Sequence, residues 1–304
     1  MEVEAAAEEV AVVVVEDKMK KDRVGLGWRP ELAGSIFASL DKIDVLEVLG
    51  NDRLTGDDQQ KRALKSLARE VPIHIHGVDL GLAGAEKVDG NRLDRFARLV
   101  NYVQPEAWSE HLAFVRAGGR EIGHLAAPPR TQESVDCAVW NVTRAAKMVG
   151  AAPCMENIAT LIQPPCSSLT EPQWISQIIA DSECGLLLDL HNVHANATNF
   201  GFDPLQFLAE IPLERVRCIH IAGGKWISSP DGSRQYLLDD HLHETPQPVY
   251  ELLSEVAART EQPLTVILER DGAYPEMSLL LREVEMARAA MAIGRKRKVR
   301  QHAS

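Results

Sequence analysis

The sequence predicts a single (β/α)₈ barrel, and three observations favour this fold class. Short β-rich runs alternate with longer amphipathic stretches along the chain, and strands that alternate with helices form parallel βαβ units. About eight such units are present, which is the number that closes a barrel. The chain has 304 residues, enough for a barrel of about 250 residues with additional ends. A doubly wound open sheet is the alternative fold.

Each predicted element has its own local signal. The candidate strands are short runs rich in Val, Ile and Leu, and they cover residues 24–28, 45–49, 73–78, 107–112, 153–157, 185–190, 217–222 and 264–270. The helices show helical spacing of apolar residues, and they cover residues 30–40, 57–69, 91–101, 132–149, 171–181, 203–210, 245–259 and 275–293. Pro30 and Pro204 suit the first turn of a helix. Asp203 is a good N-cap, and Thr131 with Ser134 provides a hydroxyl cap.

The ends of the chain and two connections depart from a minimal barrel. We predict three regions along the chain. They are a flexible N-terminal extension (residues 1–22), the metal-binding barrel (residues 23–293) and a basic C-terminal tail (residues 294–304). Two long connections, residues 113–131 and 223–244, both follow strands. They are therefore expected at the C-terminal face of the barrel, where long loops are often functional.

The composition excludes several classes of function. The net charge of −11 makes nucleic acid a poor partner, because an acidic surface repels phosphate. The apolar run of residues 10–15 is short and flanked by acidic residues, which fits neither a signal peptide nor a membrane span. Five widely spaced cysteines without a C-x-x-C pair predict small buried thiols in a reducing compartment. We therefore expect a cytoplasmic protein without a membrane partner.

Metal-ligating side chains occur at the ends of six consecutive predicted strands, the third to the eighth. They are His74 and His76, Glu110 and His111, Glu156 and Asn157, Asp189 to His194, His220 with Asp239 to His241 in the following loop, and Glu269 to Asp271. A single strand-end histidine is more often a hydrogen-bonded structural residue than a ligand. Together, however, these buried carboxylates would repel one another without a cation. One ion needs three or four ligands, so the surplus predicts more than one ion.

The ligand types narrow the choice of metal. Imidazole and carboxylate without thiolate suit iron, manganese or zinc, whereas calcium and magnesium prefer shells made only of oxygen. Two ions that share a site are expected to share a bridging carboxylate, for which Glu156 and Glu269 are the candidates.

The ordered motifs resemble the multinuclear non-haem iron-dependent oxidase family, which includes the methanobactin biosynthesis oxidase. The likeness covers about residues 23–290. The matching segments are VGLGWRP (24–30), HGV (76–78), SEHL (109–112), EN (156–157), LLD (187–189) with Asn192, NFGFDP (199–204), HIAG (220–223), DDH (239–241) and ERD (269–271).

The resemblance implies a xylose-isomerase-like barrel that holds two or three irons of mixed Fe(II)/Fe(III) valence and uses O₂ as a co-substrate. It implies oxidation of cysteine, or of another residue, in a small precursor peptide or thiol-bearing substrate, and a small accessory protein is a further expected partner. The ligands that it implies, carried over position by position, are His76, His111, Glu156, Asp189, Asn192, His220, Asp239, His241 and Glu269. His191 stands where the family often has Asn, so it could be an additional ligand.

Asp271 is the predicted catalytic base. It lies two residues beyond Glu269, so both side chains would project to the same side of a strand. Its alternative role is to pair with Arg270 or Lys225 and order a loop. Two other functions remain open for the whole chain. One is a zinc- or manganese-dependent isomerase or endonuclease of the same barrel superfamily, and the other is a non-catalytic metal-binding barrel.

Overall fold

A computed structural model describes residues 21–50 and 57–302, and the side chains up to residue 299. The N-terminal extension expected for residues 1–22 lies almost entirely outside the described residues. The barrel begins with β1 at Arg23.

Twelve strands are present in the described residues. In chain order they are β1 (Arg23–Gly27), β2 (Leu46–Gly50), β3 (Ile73–Gly77), β4 (Ala107–His111), β5 (Phe114–Ala117), β6 (Arg120–Ala126), β7 (Cys154–Glu156), β8 (Gly185–Asp189), β9 (Val216–Ile221), β10 (Gly224–Ser228), β11 (Gln235–Asp239) and β12 (Thr265–Leu268). Eight of them form a closed parallel barrel in the order β1, β12, β9, β8, β7, β4, β3, β2. The predicted (β/α)₈ fold class is therefore confirmed.

The helices fill the connections outside the barrel. In the described residues the α-helices are α1 (Ala33–Phe37), α2 (Asp58–Leu67), α3 (Gly90–Val103), α4 (Gln132–Val149), α5 (Glu171–Ser182), α6 (Leu190–Phe200), α7 (Pro204–Glu210), α8 (Gln247–Arg259) and α9 (Met277–His302). The hydroxyl cap is confirmed, because Thr131 and Ser134 form a reciprocal capping box at the start of α4. Asp203 caps α7 by accepting a hydrogen bond from the Leu205 amide.

The alternation of side chains along each strand divides the barrel into an inside and an outside. Five apolar side chains pack together as a small separate cluster: Val45, which immediately precedes β2, and Cys154, Leu187, Cys218 and Ile267 from four strands. The intervening side chains join the large core cluster beneath the helices. Since the side-chain period of a strand is two, the next inward positions toward the C-terminal ends form a layer directly above this apolar floor.

Several elements differ from the sequence-based expectation. Helix α6 was not predicted: its residues fall at the end of a predicted strand and in the unassigned stretch before the next predicted helix. Asp189 caps it by accepting a hydrogen bond from the Asn192 amide at 2.7 Å. The two long connections contain the antiparallel pairs β5–β6 and β10–β11. The helix expected at residues 30–40 is divided into α1 and two 3₁₀ turns.

The basic stretch after residue 293 continues α9 as far as His302. Arg295 explains part of this continuation, because its guanidinium donates to Asp22 and to the carbonyl oxygens of Ala257, Thr260 and Gln262. The expectation of uniformly buried cysteines is wrong, because Cys166 is exposed and Cys137 is half-buried. No helix of the described residues is long and apolar enough to cross a bilayer.

Candidate metal centre

The inward positions directly above the apolar floor carry ionisable side chains. Each follows a floor residue by two positions: Glu47 follows Val45, and Glu156, Asp189, His220 and Glu269 follow the other four. All five are buried. In each case an apolar residue is followed two positions later by an acid or a histidine. Because residues i and i+2 of a strand point to the same face, this sequence pattern produces one polar layer at the barrel mouth.

One compact group joins Glu156 of this layer to His76 and His111 on the neighbouring strands β3 and β4. Their possible ligand atoms all lie within 4.8 Å of one another. His76 Nε2 lies 3.3 Å from His111 Nε2 and 3.3 Å from Glu156 Oε2, and His111 Nε2 lies 3.4 Å from the same oxygen. Ser109 Oγ shares a hydrogen bond of 2.8 Å with His76 Nδ1. This bond orients the imidazole so that Nε2 faces the other two residues.

A second compact group consists of Glu156, Asp189, His220 and Glu269. His220 Nδ1 lies 3.3 Å from Glu156 Oε1 and 3.0 Å from Glu269 Oε2. Glu156 is therefore common to both groups, and its two oxygens face different imidazoles. A carboxylate in this position can bridge two ions.

The remaining three expected ligands, Asn192, Asp239 and His241, lie beside the second group. His241 Nε2 lies 2.9 Å from Asp239 Oδ1, and its Nδ1 lies 3.7 Å from Glu269 Oε2. All three side chains line the same cavity as the first group. Within the part of the chain that the structure describes, Asp239 and His241 do not belong to a group as compact as the other two.

Burial and mutual repulsion shift the acidities of these groups strongly. Burial raises the pKa of Asp189 well above its usual value, and the charges of Asp239 and Glu156 add to this effect. Burial, His111 and His220 lower the pKa of His76 well below its usual value. Burial lowers the pKa of His111, but Glu156, Glu110 and Glu269 together outweigh burial and raise this pKa to about 9. The layer thus holds several carboxylates close together, and a bound cation would neutralise their mutual repulsion.

The donor atoms fit a metal ion. Buried polar atoms are normally hydrogen-bonded, and each exception calls for an explanation. Six expected ligands each have a buried oxygen or nitrogen that makes no hydrogen bond of good geometry, namely Glu156 Oε2, Asp189 Oδ2, Asn192 Oδ1, His220 Nδ1, His241 Nε2 and Glu269 Oε2. Four of them, all except the atoms of Asp189 and Asn192, lie within 3.4 Å of a neighbouring histidine or carboxylate. Imidazole, carboxylate and amide oxygen are donors that suit iron, manganese or zinc.

Two residues of the site were missed in the sequence. The first is Glu47, whose Oε2 lies 3.0 Å from His220 Nε2, the ring nitrogen that does not face Glu156 and Glu269. His191, which the sequence suggested as an additional ligand, shares a hydrogen bond of 2.8 Å between its Nδ1 and Asp239 Oδ1, so it lies behind an expected ligand. The signal for Glu47 was a lone acid inside an apolar strand.

Arg29 is the second missed residue, and it contacts Asp271. Its Nε donates to Asp271 Oδ1 at 2.9 Å, while Asp271 Oδ2 lies 3.1 Å from His241 Nδ1. The alternative partners considered from the sequence, Arg270 and Lys225, pair instead with Glu283 and Asp240.

A cavity of about 910 Å³ opens above the ligand layer at the C-terminal face. Four of the expected ligands, His76, His111, Glu156 and Glu269, lie at the bottom of this cavity, and Asp271 lies on its wall. The β5–β6 hairpin and the loop after β7 form much of the rest. The molecule thus presents a buried histidine–carboxylate centre to a cavity large enough for part of a substrate.

The fold and the site together define a class, a (β/α)₈ barrel with a candidate multinuclear metal centre at its C-terminal mouth. Residues 23–292 match the family described as "RiPP precursor modification enzyme MbnB/TglH/ChrH". The chain belongs to this family, whose members are enzymes that modify precursor peptides.

Several relatives and solved structures support this placement. A UPF0276 protein of Streptomyces avermitilis is 36% identical over 274 residues, covering 88% of this chain. The match spans only 54% of that relative's length. A UPF0276 protein of Caulobacter vibrioides is 29% identical over 90% of this chain and 96% of its own length.

Among solved structures, a xylose isomerase domain protein from Planctomyces limnophilus has a TM-score of 0.56 at 15% identity, covering 92% of this chain and 99% of its own. An L-ribulose 3-epimerase has a TM-score of 0.57 at 13% identity, covering 93% of this chain and 97% of its own. These similarities establish a xylose-isomerase-like barrel.

Proposed function

We propose that this protein is a multinuclear iron-dependent oxidase that uses O₂ to modify a cysteine, or another residue, in a small precursor peptide. The observation that carries the proposal is the set of buried donor atoms that make no hydrogen bond of good geometry beneath an open cavity. Family membership supports the peptide as the substrate.

The proposed ligands divide between the groups described above. His76, His111 and Glu156 would hold one ion. Glu156, Asp189, His220 and Glu269 would hold a second, and Asn192, Asp239 and His241 are the proposed donors to a third. Bound iron would supply open coordination positions for a substrate thiolate and O₂, together with the capacity to change valence.

The protein's own groups prepare this chemistry. Ser109 and Glu47 fix the orientation of His76 and His220, so that the ring nitrogens face the centre. The barrel floor and the surrounding core keep the ligands out of bulk water, which strengthens every charge interaction within the layer. The cavity lies at the C-terminal face, so a substrate would enter from that side.

Asp271 remains the proposed base for a substrate proton. It lines the cavity beyond Glu269. Burial alone would raise its pKa, but the hydrogen bond with His241 and the charge of Arg29 prevail and lower it. A carboxylate with a lowered pKa is a weaker base, so a second role, holding His241 in place, competes with proton transfer for this residue.

Protein purified without oxygen should contain about two to three irons per chain, and it should consume O₂ only when a cysteine-containing precursor peptide is added. Metal analysis and an oxygen electrode measure the two quantities. Zinc or manganese in the centre, with no O₂ consumption, would instead support an isomerase or an endonuclease. Bound metal with neither activity would support a non-catalytic metal-binding barrel.

A further inference from the structure

The wall of the cavity above the metal centre is apolar on several sides. The contributing side chains come from different elements, and they include Val78, Val115, Leu125, Ile158, Leu161 and Ile162. Among the described residues that line this cavity, there is no lysine or arginine. Apart from the histidines of the proposed ligand layer and His124, a phosphate or carboxylate group of a substrate would therefore meet no basic side chain on the described part of the wall.

The acidic side chains of the wall outside the ligand layer are already neutralised. Asp79 lies 3.4 Å from Arg92, while Glu121 lies 3.0 Å from Arg92 and 3.1 Å from Arg116, so two arginines face these two acids. Asp271 pairs with Arg29. Because each acid has a basic partner, the described wall carries little net charge, and it offers a cationic substrate group no unpaired acid.

The most exposed apolar part of the wall is a short ridge at Leu161 and Ile162. Ile162 is 74% exposed and Leu161 is 38% exposed. Thr160 holds this ridge in place, because its hydroxyl donates to the Ile162 carbonyl at 2.7 Å and accepts from the Ile162 amide at 3.2 Å. The Thr160 amide in turn donates to Asn196 of α6 at 2.9 Å.

Leu161 and Ile162 are adjacent to each other and continuous with the apolar wall, and a contiguous apolar surface of this kind is typical of a ligand-binding groove. The ridge and the candidate metal centre line the same cavity, so a substrate that extends from the centre along this wall would contact the ridge. The cavity of about 910 Å³ is of the size that encloses a drug-sized molecule, and a peptide segment of a few residues is comparable.

We infer that this cavity selects a peptide segment that is uncharged and apolar on both sides of the reacting residue, with Ile162 as its main apolar contact. This inference rests on the proposed function for the peptide nature of the substrate. It goes beyond that function by assigning the residues that discriminate among peptides and the chemistry that they select.

Binding of short fluorescein-labelled peptides to iron-loaded protein without oxygen tests the inference. Three peptides carry a central cysteine flanked by Val and Ala, by Glu, or by Lys. The apolar peptide should bind at least about tenfold more tightly than either charged peptide, because a charged side chain loses its hydration when it binds against an apolar wall. A charged peptide that binds as tightly as the apolar one would overturn the inference.

The variant Ile162→Glu locates the contact. This substitution should lower the affinity for the apolar peptide about tenfold or more, because it removes apolar contact area. It should raise the affinity for the Lys-flanked peptide, because it adds an unpaired acid. Ile293→Glu is the matched control: Ile293 is 56% exposed on α9 and does not line the cavity, so all three peptides should bind as to wild type. Equal effects of the two substitutions would overturn the assignment of Ile162.

A second set of peptides, with serine in place of cysteine, separates this inference from the proposed function. The preference for apolar flanks should persist without the thiol, because it arises at the wall. If the preference persists but the cysteine peptide is never oxidised in the presence of O₂, the proposed oxidase function fails and the selectivity of the wall stands. If the cysteine peptide is oxidised regardless of its flanks, the oxidase function stands and the inference fails.

Discussion

Glu156→Gln is the most informative single change in the proposed centre. Glu156 faces His76 and His111 with one oxygen, at 3.3 and 3.4 Å, and His220 with the other, at 3.3 Å. Glutamine keeps the size of the side chain and removes its charge. If the carboxylate bridges two ions, both are affected by the one substitution.

The expected loss can be worked out from the charges. A pair of unit charges about 4 Å apart contributes about 4 kcal/mol at an effective dielectric constant of about 20, which corresponds to a change of about a thousandfold in affinity. Both groups that contain Glu156 lose this contribution. We therefore expect purified Glu156→Gln to contain about two fewer ions per chain than wild type.

Asp189→Asn is the matched control. Asp189 is an equally buried carboxylate that belongs to only one of the two compact groups. Asparagine is as good a helix N-cap as aspartate, so α6 should remain capped. This variant should lose about one ion, measured by elemental analysis after anaerobic purification, with circular dichroism as the check on folding. Equal metal losses in the two variants would refute the bridging role of Glu156.

Three further predictions concern individual side chains. His111→Ala and His220→Ala should each lower the metal content and leave a folded barrel by circular dichroism; two unfolded products would indicate a structural role instead. Asp271→Asn should keep its iron and slow peptide oxidation at least about a hundredfold if Asp271 is the base, and a wild-type rate would exclude that role. Glu106→Gln should destabilise the protein by up to about 1 kcal/mol at neutral pH. Although burial opposes the shift, His74 and Arg23 lower the pKa of Glu106, so its contribution to stability is present above its unfolded pKa and is lost as the pH falls through the folded value. Denaturant unfolding at neutral and at acidic pH should therefore show a smaller acid-induced loss in the variant.

The alternation of strands and helices was sufficient to predict the barrel and its eight strands, because a parallel barrel strand is buried on both faces and appears as a short continuous apolar run. The clustering of the expected ligands at one end also followed from the sequence. Once the strands are parallel, all residues at their carboxyl ends meet at one face.

Two parts of the site depend on contacts that the sequence does not reveal. Arg29 reaches Asp271 across 242 residues of chain, and Glu47 reaches His220 across 173. Only barrel closure brings each pair together. Helix α6 was missed because its Asn and His residues, which have low helix propensity, were interpreted as rim ligands. The cap from Asp189 and the packing of Leu190 and Val193 in the core stabilise it.

The β5–β6 and β10–β11 hairpins are two-stranded sheets of their own, and neither shares a backbone ladder with the barrel. An insertion or substitution in residues 114–126 therefore does not interrupt the backbone hydrogen bonds between the barrel strands. Surface loops tolerate such changes at small energetic cost, whereas a change in the ligand layer meets buried charge on every side. Sequence variation can therefore accumulate in the hairpins that form the cavity wall, while the ligand layer stays unchanged. Related barrels can thus come to accept different peptides and keep one reaction.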